Sequence, residues 1–139
     1  MREAREDDRP LRIVIADDHE PMRALLRDEL QGAGLEVVGA AADGVEAVEL
    51  ATSERPDVCI LDVGMPRMSG LEAARRISTA LPRTRILMVT VAPNDEDAQA
   101  SAGAGAHGYV GKDVAPGRLP SLAHAIATGG THFPDRSDI

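Results

Sequence analysis

The feature that most narrows the fold of this chain is an alternation. Five short, mostly apolar runs, at 11–16, 36–41, 58–62, 86–90 and 108–111, are separated by stretches whose apolar residues recur at helical spacing. A strand–helix repeat of this kind is the sequence sign of βα units wound around a parallel sheet. Strands covered by helices on both faces carry apolar side chains throughout, as these runs do. The expected architecture is α/β: a doubly wound five-stranded parallel sheet with five flanking helices.

The helices announce their ends. The first places Met22, Leu25, Leu26 and Leu30 on one face and closes at Gly32 or Gly34, where a left-handed cap is wanted. Asp43 and Ser69 each stand three residues before a glutamate, Glu46 and Glu72, the reciprocal capping pattern that opens the second and third helices. Asn94 opens the fourth, but residues 95–106 contain no Leu, Ile or Val, so this helix is expected to be the least anchored. The fifth carries Leu119, Leu122, Ala123 and Ile126 on one face and finishes at Gly129 and Gly130, with Gly117 and Pro120 weakening its first turns.

At 139 residues the chain has the size of one domain. Residues 1–10 read as a charged, disordered leader, 11–130 as the domain, and 131–139 as the start of a linker or tail. Apolar residues make up 43% of the sequence, yet there is one Phe, one Tyr and no Trp, so the core must come from Val, Ile, Leu, Met and Ala. Cys59 is the only cysteine and lies in an apolar run, which excludes a disulfide or a thiolate metal site within one chain and reads as an inert core residue. The absence of any signal-peptide or membrane-length apolar segment points to the cytoplasm. A formal charge of −8 repels phosphate backbones, so DNA contact would need another domain.

In a doubly wound sheet, ligands bind beyond the carboxyl ends of the strands. Asp17 and Asp18 follow the first strand there, Asp62 ends the third, Thr90 ends the fourth and Lys112 follows the fifth. Three clustered carboxylates repel one another and raise at least one pKa unless a cation compensates. Mg²⁺ suits them, since it takes oxygen ligands and is commonly held by one or two carboxylates together with phosphate oxygens. The four histidines show no metal-ligand pairing. Singly, Asp18 reads equally well as a helix cap, Thr90 as a strand residue and Lys112 as a solvated charge. Jointly, those readings leave unexplained why an acid pair, an acid, a hydroxyl and a cation end four strands in order.

These residues resemble a known family. The run Ile13-Val14-Ile15-Ala16-Asp17-Asp18-His19, the segment from Asp57 to Pro66 with Ser69-Gly70 following, Thr90, and Gly108-Tyr109-Val110-Gly111-Lys112-Asp113 are similar to the receiver domains of two-component response regulators. The resemblance spans about residues 11–133, and the stretch Ala125 to Thr131 resembles the NarL/LuxR subfamily. It implies a flavodoxin-like sheet of strand order 2-1-3-4-5 and a phosphorylation switch rather than an enzyme acting on other substrates. Asp62 would accept a phosphoryl group from a phosphohistidine of a sensor histidine kinase. Asp18, Asp62 and the backbone carbonyl of Gly64 would bind Mg²⁺ directly, Asp17 mainly through water, and Lys112 would pair with a phosphoryl oxygen. Thr90 would donate its hydroxyl to the phosphoryl group, and Tyr109 would turn from solvent into the space Thr90 leaves. The readout would be a changed surface on the fourth helix, fifth strand and fifth helix, controlling homodimerisation and output. In that subfamily a helix-turn-helix domain follows and regulates transcription; here it is expected to lie outside this chain, with a stand-alone receiver acting through protein contacts as the alternative.

Two positions depart from the family pattern. Gly64 and Ala92, each two residues beyond a site residue, stand where many receivers carry larger side chains, which suggests an open site and a labile phosphate. An aspartate-nucleophile phosphatase of the haloacid-dehalogenase type would need an acid at position 64, and glycine cannot serve. A flavodoxin-like FMN binder would not place Asp17-Asp18-His19-Glu20 in its phosphate loop. An interaction module lacking phosphorylation would not need the complete acceptor set.

Overall fold

A computed structural model describes residues 9–114 and 117–133. Most of the expected leader and tail, residues 1–8 and 134–139, lies outside the described residues. The elements are β1 (Arg12–Ala16), α1 (Glu20–Gly32), β2 (Glu36–Ala41), α2 (Gly44–Glu54), β3 (Val58–Asp62), α3 (Gly70–Ala80), β4 (Arg85–Thr90), α4 (Asp95–Gly103), β5 (Gly108–Gly111) and α5 (Arg118–Ala127). All strand pairings are parallel, in the order β2-β1-β3-β4-β5. The expected doubly wound sheet is the one observed. No helix among the described residues is long and apolar enough to cross a membrane.

Alternation along the strands divides the core in two, because successive side chains point to opposite faces. Ile13, Ile15, Val58, Ile60, Leu87 and Val89 meet the Leu and Ile side chains of α1 and α5. Val14, Cys59, Leu61, Ile86, Met88 and Tyr109 face the other way, against Ala-rich surfaces of α2, α3 and α4. Small residues let those helices approach the sheet closely. Burial pushes the Cys59 thiol up to about 12, so it stays protonated and inert.

Strand boundaries differ from expectation by one residue. β4 begins at Arg85, one earlier than expected, because Arg85 pairs with Val58 and donates its amide to the Asp57 carbonyl at 3.0 Å. β1 begins at Arg12 instead of Leu11, although the Leu11 carbonyl still accepts from the Glu36 amide.

The helix ends show which capping expectations hold. Gly32 is the last helical residue, and Gly34, at φ 89°, takes the left-handed conformation. At α2 the Asp43 side chain accepts from the Glu46 amide at 2.9 Å, while the Glu46 carboxylate accepts from the Ala42 amide at 3.2 Å. At α3 only half of the pattern forms: Ser69 Oγ accepts from the Glu72 amide, but the Glu72 carboxylate pairs with Arg75 and Arg76 instead. Pro120 lies in the first turn of α5, where its missing N–H would have had no helical partner, so it does not weaken the helix as expected. Only Ala98 and Ser101 of α4 are buried, in keeping with its expected weak anchoring.

Candidate functional site

The carboxyl ends of β1, β3, β4 and β5 carry the residues singled out in the sequence. Asp17 is fully buried, Asp62 is 8% exposed and Asp18 is exposed. Carboxylate oxygens of the three lie within 4.8 Å of one another. Asp18 does not cap α1: the residue at that position is His19, with no side-chain cap, and the His19 amide donates to Asp17 Oδ1 at 2.9 Å. The Arg23 guanidinium, one turn into α1, donates to the Asp17 carbonyl oxygen at 2.7 Å. The strand end is thus held from both sides while the Asp18 side chain is left facing the rim.

Lys112 is no solvated surface charge either. Its side chain is 9% exposed, and its ammonium lies 2.6 Å from Asp17 Oδ2 and 3.0 Å from Asp62 Oδ2. The Lys112 amide donates to the Thr90 carbonyl at 2.7 Å, which fixes the root of the side chain to the end of β4. Burial acts to lower the lysine pKa, but the two carboxylates outweigh it and the net shift is upward, so the cation is firmly protonated. For Asp62, burial is the largest effect and raises the pKa. Lys112 pulls it down, Asp17 pushes it up and the Gly64 amide lowers it, with a net upward shift. The Lys112 charge therefore only partly offsets the cost of ionising Asp62 in this setting.

The donor set suits a hard cation. Asp17 Oδ2 has the Lys112 ammonium at 2.6 Å and no other polar partner among the described residues, so this fully buried anionic oxygen keeps lone-pair capacity to spare. Together with the neighbouring oxygens of Asp18 and Asp62, this offers an all-oxygen, incompletely satisfied set. Gly64 is exposed beside it, and a Cβ built there would meet nothing within 4 Å.

Loop geometry behind the acid is tight. A Cβ on Gly70 would collide with the Asp62 carbonyl oxygen, so only glycine lets the start of α3 pack against the end of β3. The Gly70 amide donates to the Val63 carbonyl at 2.8 Å, and the Val63 amide to the Val89 carbonyl at 3.0 Å, tying the loop to β4.

Thr90 is buried, and its hydroxyl accepts from the Ala92 amide at 3.3 Å. Tyr109 does not start from solvent as expected. Its ring is fully buried in the core facing α4, and its hydroxyl accepts from the Asn94 amide at 3.0 Å, the residue that caps α4. Sequence reading missed this partner because a backbone amide leaves no side-chain signature. It also missed Arg23, whose contact is to a main-chain carbonyl.

A hollow of about 410 Å³ lined by Arg55, Pro56, Arg83 and Thr84 lies at the opposite, amino end of the sheet, apart from Asp17, Asp18, Asp62, Thr90 and Lys112.

A family model for the response regulator receiver domain matches residues 13–124. The chain is similar to the transcriptional regulatory protein YxjL of Bacillus subtilis (strain 168), 38% identical over 124 residues, covering 88% of this chain and 57% of that protein. It is also similar to the nitrate/nitrite response regulator protein NarL of Escherichia coli (strain K12), 35% identical over 121 residues, covering 86% and 56%. Among solved structures, the signal receiver domain of the response regulator NarL from Mycobacterium tuberculosis matches with a TM-score of 0.83 at 32% identity, covering 87% of this chain and 98% of that one. The chain spans little more than half the length of these curated relatives and nearly the whole of an isolated receiver. With the acidic rim, the lysine and the 2-1-3-4-5 sheet in place, these matches give the family: the chain belongs to the response regulator receiver domains of the NarL type.

Proposed function

We propose that Asp62 is the phosphoacceptor of a switch loaded by a sensor histidine kinase in the cytoplasm. The observation that carries this reading is the Asp17–Lys112–Asp62 bridge, which holds a carboxylate of raised pKa at the mouth of an acidic rim. An Asp62 oxygen attacks the phosphorus of the kinase phosphohistidine. The O–P bond forms as the P–N bond breaks, and the electron pair returns to the imidazole. Lys112 is placed to exchange its contact with Asp62 Oδ2 for a phosphoryl oxygen as charge builds there.

Asp17, Asp18, Asp62 and the Gly64 carbonyl are the groups that would hold Mg²⁺. The ion would neutralise phosphoryl oxygens and help keep attacker and leaving group in line. Asp17, already paired with Lys112, would act on the ion mainly through water. Thr90 turns its hydroxyl to the phosphoryl group, giving up the Ala92 amide. Tyr109, already inside, responds by shifting within the core, altering its bond to Asn94 and hence the start of α4.

The domain acts as a switch and has no substrate beyond its own phosphoryl group. By likeness to longer relatives that are named as transcriptional regulators and of which the chain covers 57% and 59%, its output is transcription control through a DNA-binding domain outside this chain, with homodimerisation on phosphorylation. Incubation with acetyl phosphate, with and without Mg²⁺, tests the acceptor. An intact-mass adduct that needs Mg²⁺ and vanishes in Asp62→Asn is expected. Its absence under every condition would leave the domain an interaction module.

A further inference from the structure

The segment after α5 does not leave the domain at once. Gly108 and His132 form a parallel bridge on the outer edge of β5. The His132 amide donates to the His107 carbonyl at 2.9 Å, and the Tyr109 amide donates to the His132 carbonyl at 2.8 Å. An edge strand exposes unpaired backbone groups, and here the start of that edge is covered by the chain itself.

β5 is four residues long and has a ladder on one side only, with β4. Its carboxyl end runs into Lys112, bridged to Asp17 and Asp62. Its second residue, Tyr109, has its side chain bonded to the start of α4 and its amide bonded to His132. From Gly108 to Lys112 is about 13 Å of extended chain at the usual strand rise. One short strand therefore joins the acidic site at one end to the clasp at the other.

The clasp is the weaker attachment. Thr131 is exposed, and His132 and Phe133, the latter 36% exposed, are only partly covered, so none of the three side chains is fully buried and the two backbone hydrogen bonds are the defined attachment. Just before it, Arg85 holds the Ile126 and Gly130 carbonyls at 2.9 and 3.0 Å, which fixes the end of α5 and leaves the clasp as the first point free to move. Hydrogen bonds weaken steeply with misalignment, so a small displacement of β5 is felt there first.

We infer that residues 131–133 are a releasable edge strand whose attachment to β5 is set by the state of the Asp62 site, which makes the chain following α5 a reader of that site. This rests on the phosphoacceptor reading. When Lys112 is drawn from Asp62 Oδ2 to a phosphoryl oxygen and Tyr109 shifts in the core, β5 moves toward the site and away from His132. The two clasp bonds then open together. By linkage, whatever holds the clasp shut opposes loading, and whatever opens it favours loading.

Amide hydrogen exchange on the whole chain tests this, with Mg²⁺ and beryllofluoride as the phosphoryl mimic and loading read separately by fluorine NMR. Exchange at Tyr109 and His132 is expected to quicken together by about tenfold on loading, while Ile15 and Ile60 are unchanged. His132→Pro, which removes the donor to His107, is expected to lower the beryllofluoride concentration for half-loading by about tenfold. Loading with unchanged or slowed exchange at both amides overturns the inference and leaves the acceptor intact, as does unchanged half-loading in His132→Pro. A protein giving no bound fluorine signal overturns the acceptor reading, and the inference with it.

Discussion

The Lys112 ammonium lies 2.6 Å from the fully buried Asp17 carboxylate, closer than the 3.0 Å that separates it from Asp62. The lysine is thus anchored on the fully buried acid and rests more loosely on Asp62, the acid we propose as the acceptor.

Removing the anchor should expose its electrostatic worth. Lys112→Met leaves the buried Asp17 and nearly buried Asp62 without their cation, and breaking a buried pair from one side is expected to cost about 3 kcal/mol of unfolding free energy in metal-free buffer at neutral pH. The variant should also gain more from added Mg²⁺ than the wild type does, because the ion replaces the lost charge. Urea unfolding with EDTA and with Mg²⁺ measures both. Equal gains in the two proteins would mean that the ion does not sit among these carboxylates.

Asp62 gives a pH dependence of definite sign. Its folded-state pKa is raised, first by burial, so between the unfolded value and the raised folded value the folded protein binds more protons. Stability from this group therefore falls as pH rises through that window, and above it the ionised carboxylate is a standing cost. In metal-free buffer Asp62→Asn should be at least as stable as wild type at neutral pH, the advantage vanishing below the ordinary carboxylate pKa. Urea midpoints across that range decide it; a variant less stable at neutral pH would show that the pairing with Lys112 outweighs burial.

His107 should behave in the opposite sense. Its Nδ1 accepts from the Ile86 amide at 3.0 Å, which requires the neutral ring, and burial, followed by the charge of Arg85, lowers its pKa. Stability from this group is complete above the unfolded histidine value of about 6.5 and is lost as pH falls through the lowered folded value. His107→Gln should flatten the mildly acidic part of the stability curve. A curve parallel to wild type there would assign the loss to other groups.

Ser101 is fully buried in α4, and its hydroxyl has no hydrogen-bond partner. Replacing it with alanine removes an unsatisfied polar atom and improves helix propensity, so Ser101→Ala should be neutral or stabilising by about 0.5–1 kcal/mol. Thermal unfolding checks this. A loss of stability would show that the hydroxyl is satisfied in solution, by water for instance.

What was legible in the chain and what was not divides along a physical line. The strands could be placed to within a residue because β3 and most of β1, β4 and β5 are buried and read as apolar runs, and the edge strand β2, though only partly buried, is still mostly Val and Ala. Asp17, Asp18, Asp62, Thr90 and Lys112 stood out because charge and hydroxyl at successive strand ends have no use in packing. The Asn94 bond to Tyr109, the Arg23 hold on Asp17 and the His132 clasp are made to or from main-chain groups, which every residue carries. The need for glycine at position 70 is a matter of distance to the Asp62 carbonyl, visible only when α3 is packed against β3. Glu72 satisfied its capping pattern in sequence and then chose Arg75 and Arg76, an outcome that depends on rotamers instead of residue type.

The mouth of the site bears on how long a phosphoryl group would last. Ala92 is exposed, Val91 is 79% exposed, and a Cβ on Gly64 would point into open space. No side chain at positions 64 or 92 is long enough to reach over Asp62, so water would have a direct approach to the phosphorus opposite the carboxylate oxygen. A larger polar side chain at each position would occupy that approach without disturbing packing, since neither site is crowded. Placing Glu or Asn at 64 and Arg or Lys at 92 is therefore expected to slow loss of the phosphoryl group by about tenfold, equivalent to about 1.4 kcal/mol in the hydrolysis barrier. Single-turnover dephosphorylation after removal of acetyl phosphate gives the rate directly. The effect should appear in hydrolysis while unfolding midpoints stay near wild type. An unchanged rate in the double variant would show that attack is limited by the in-line geometry of Asp62 and Lys112 and not by the openness of the rim.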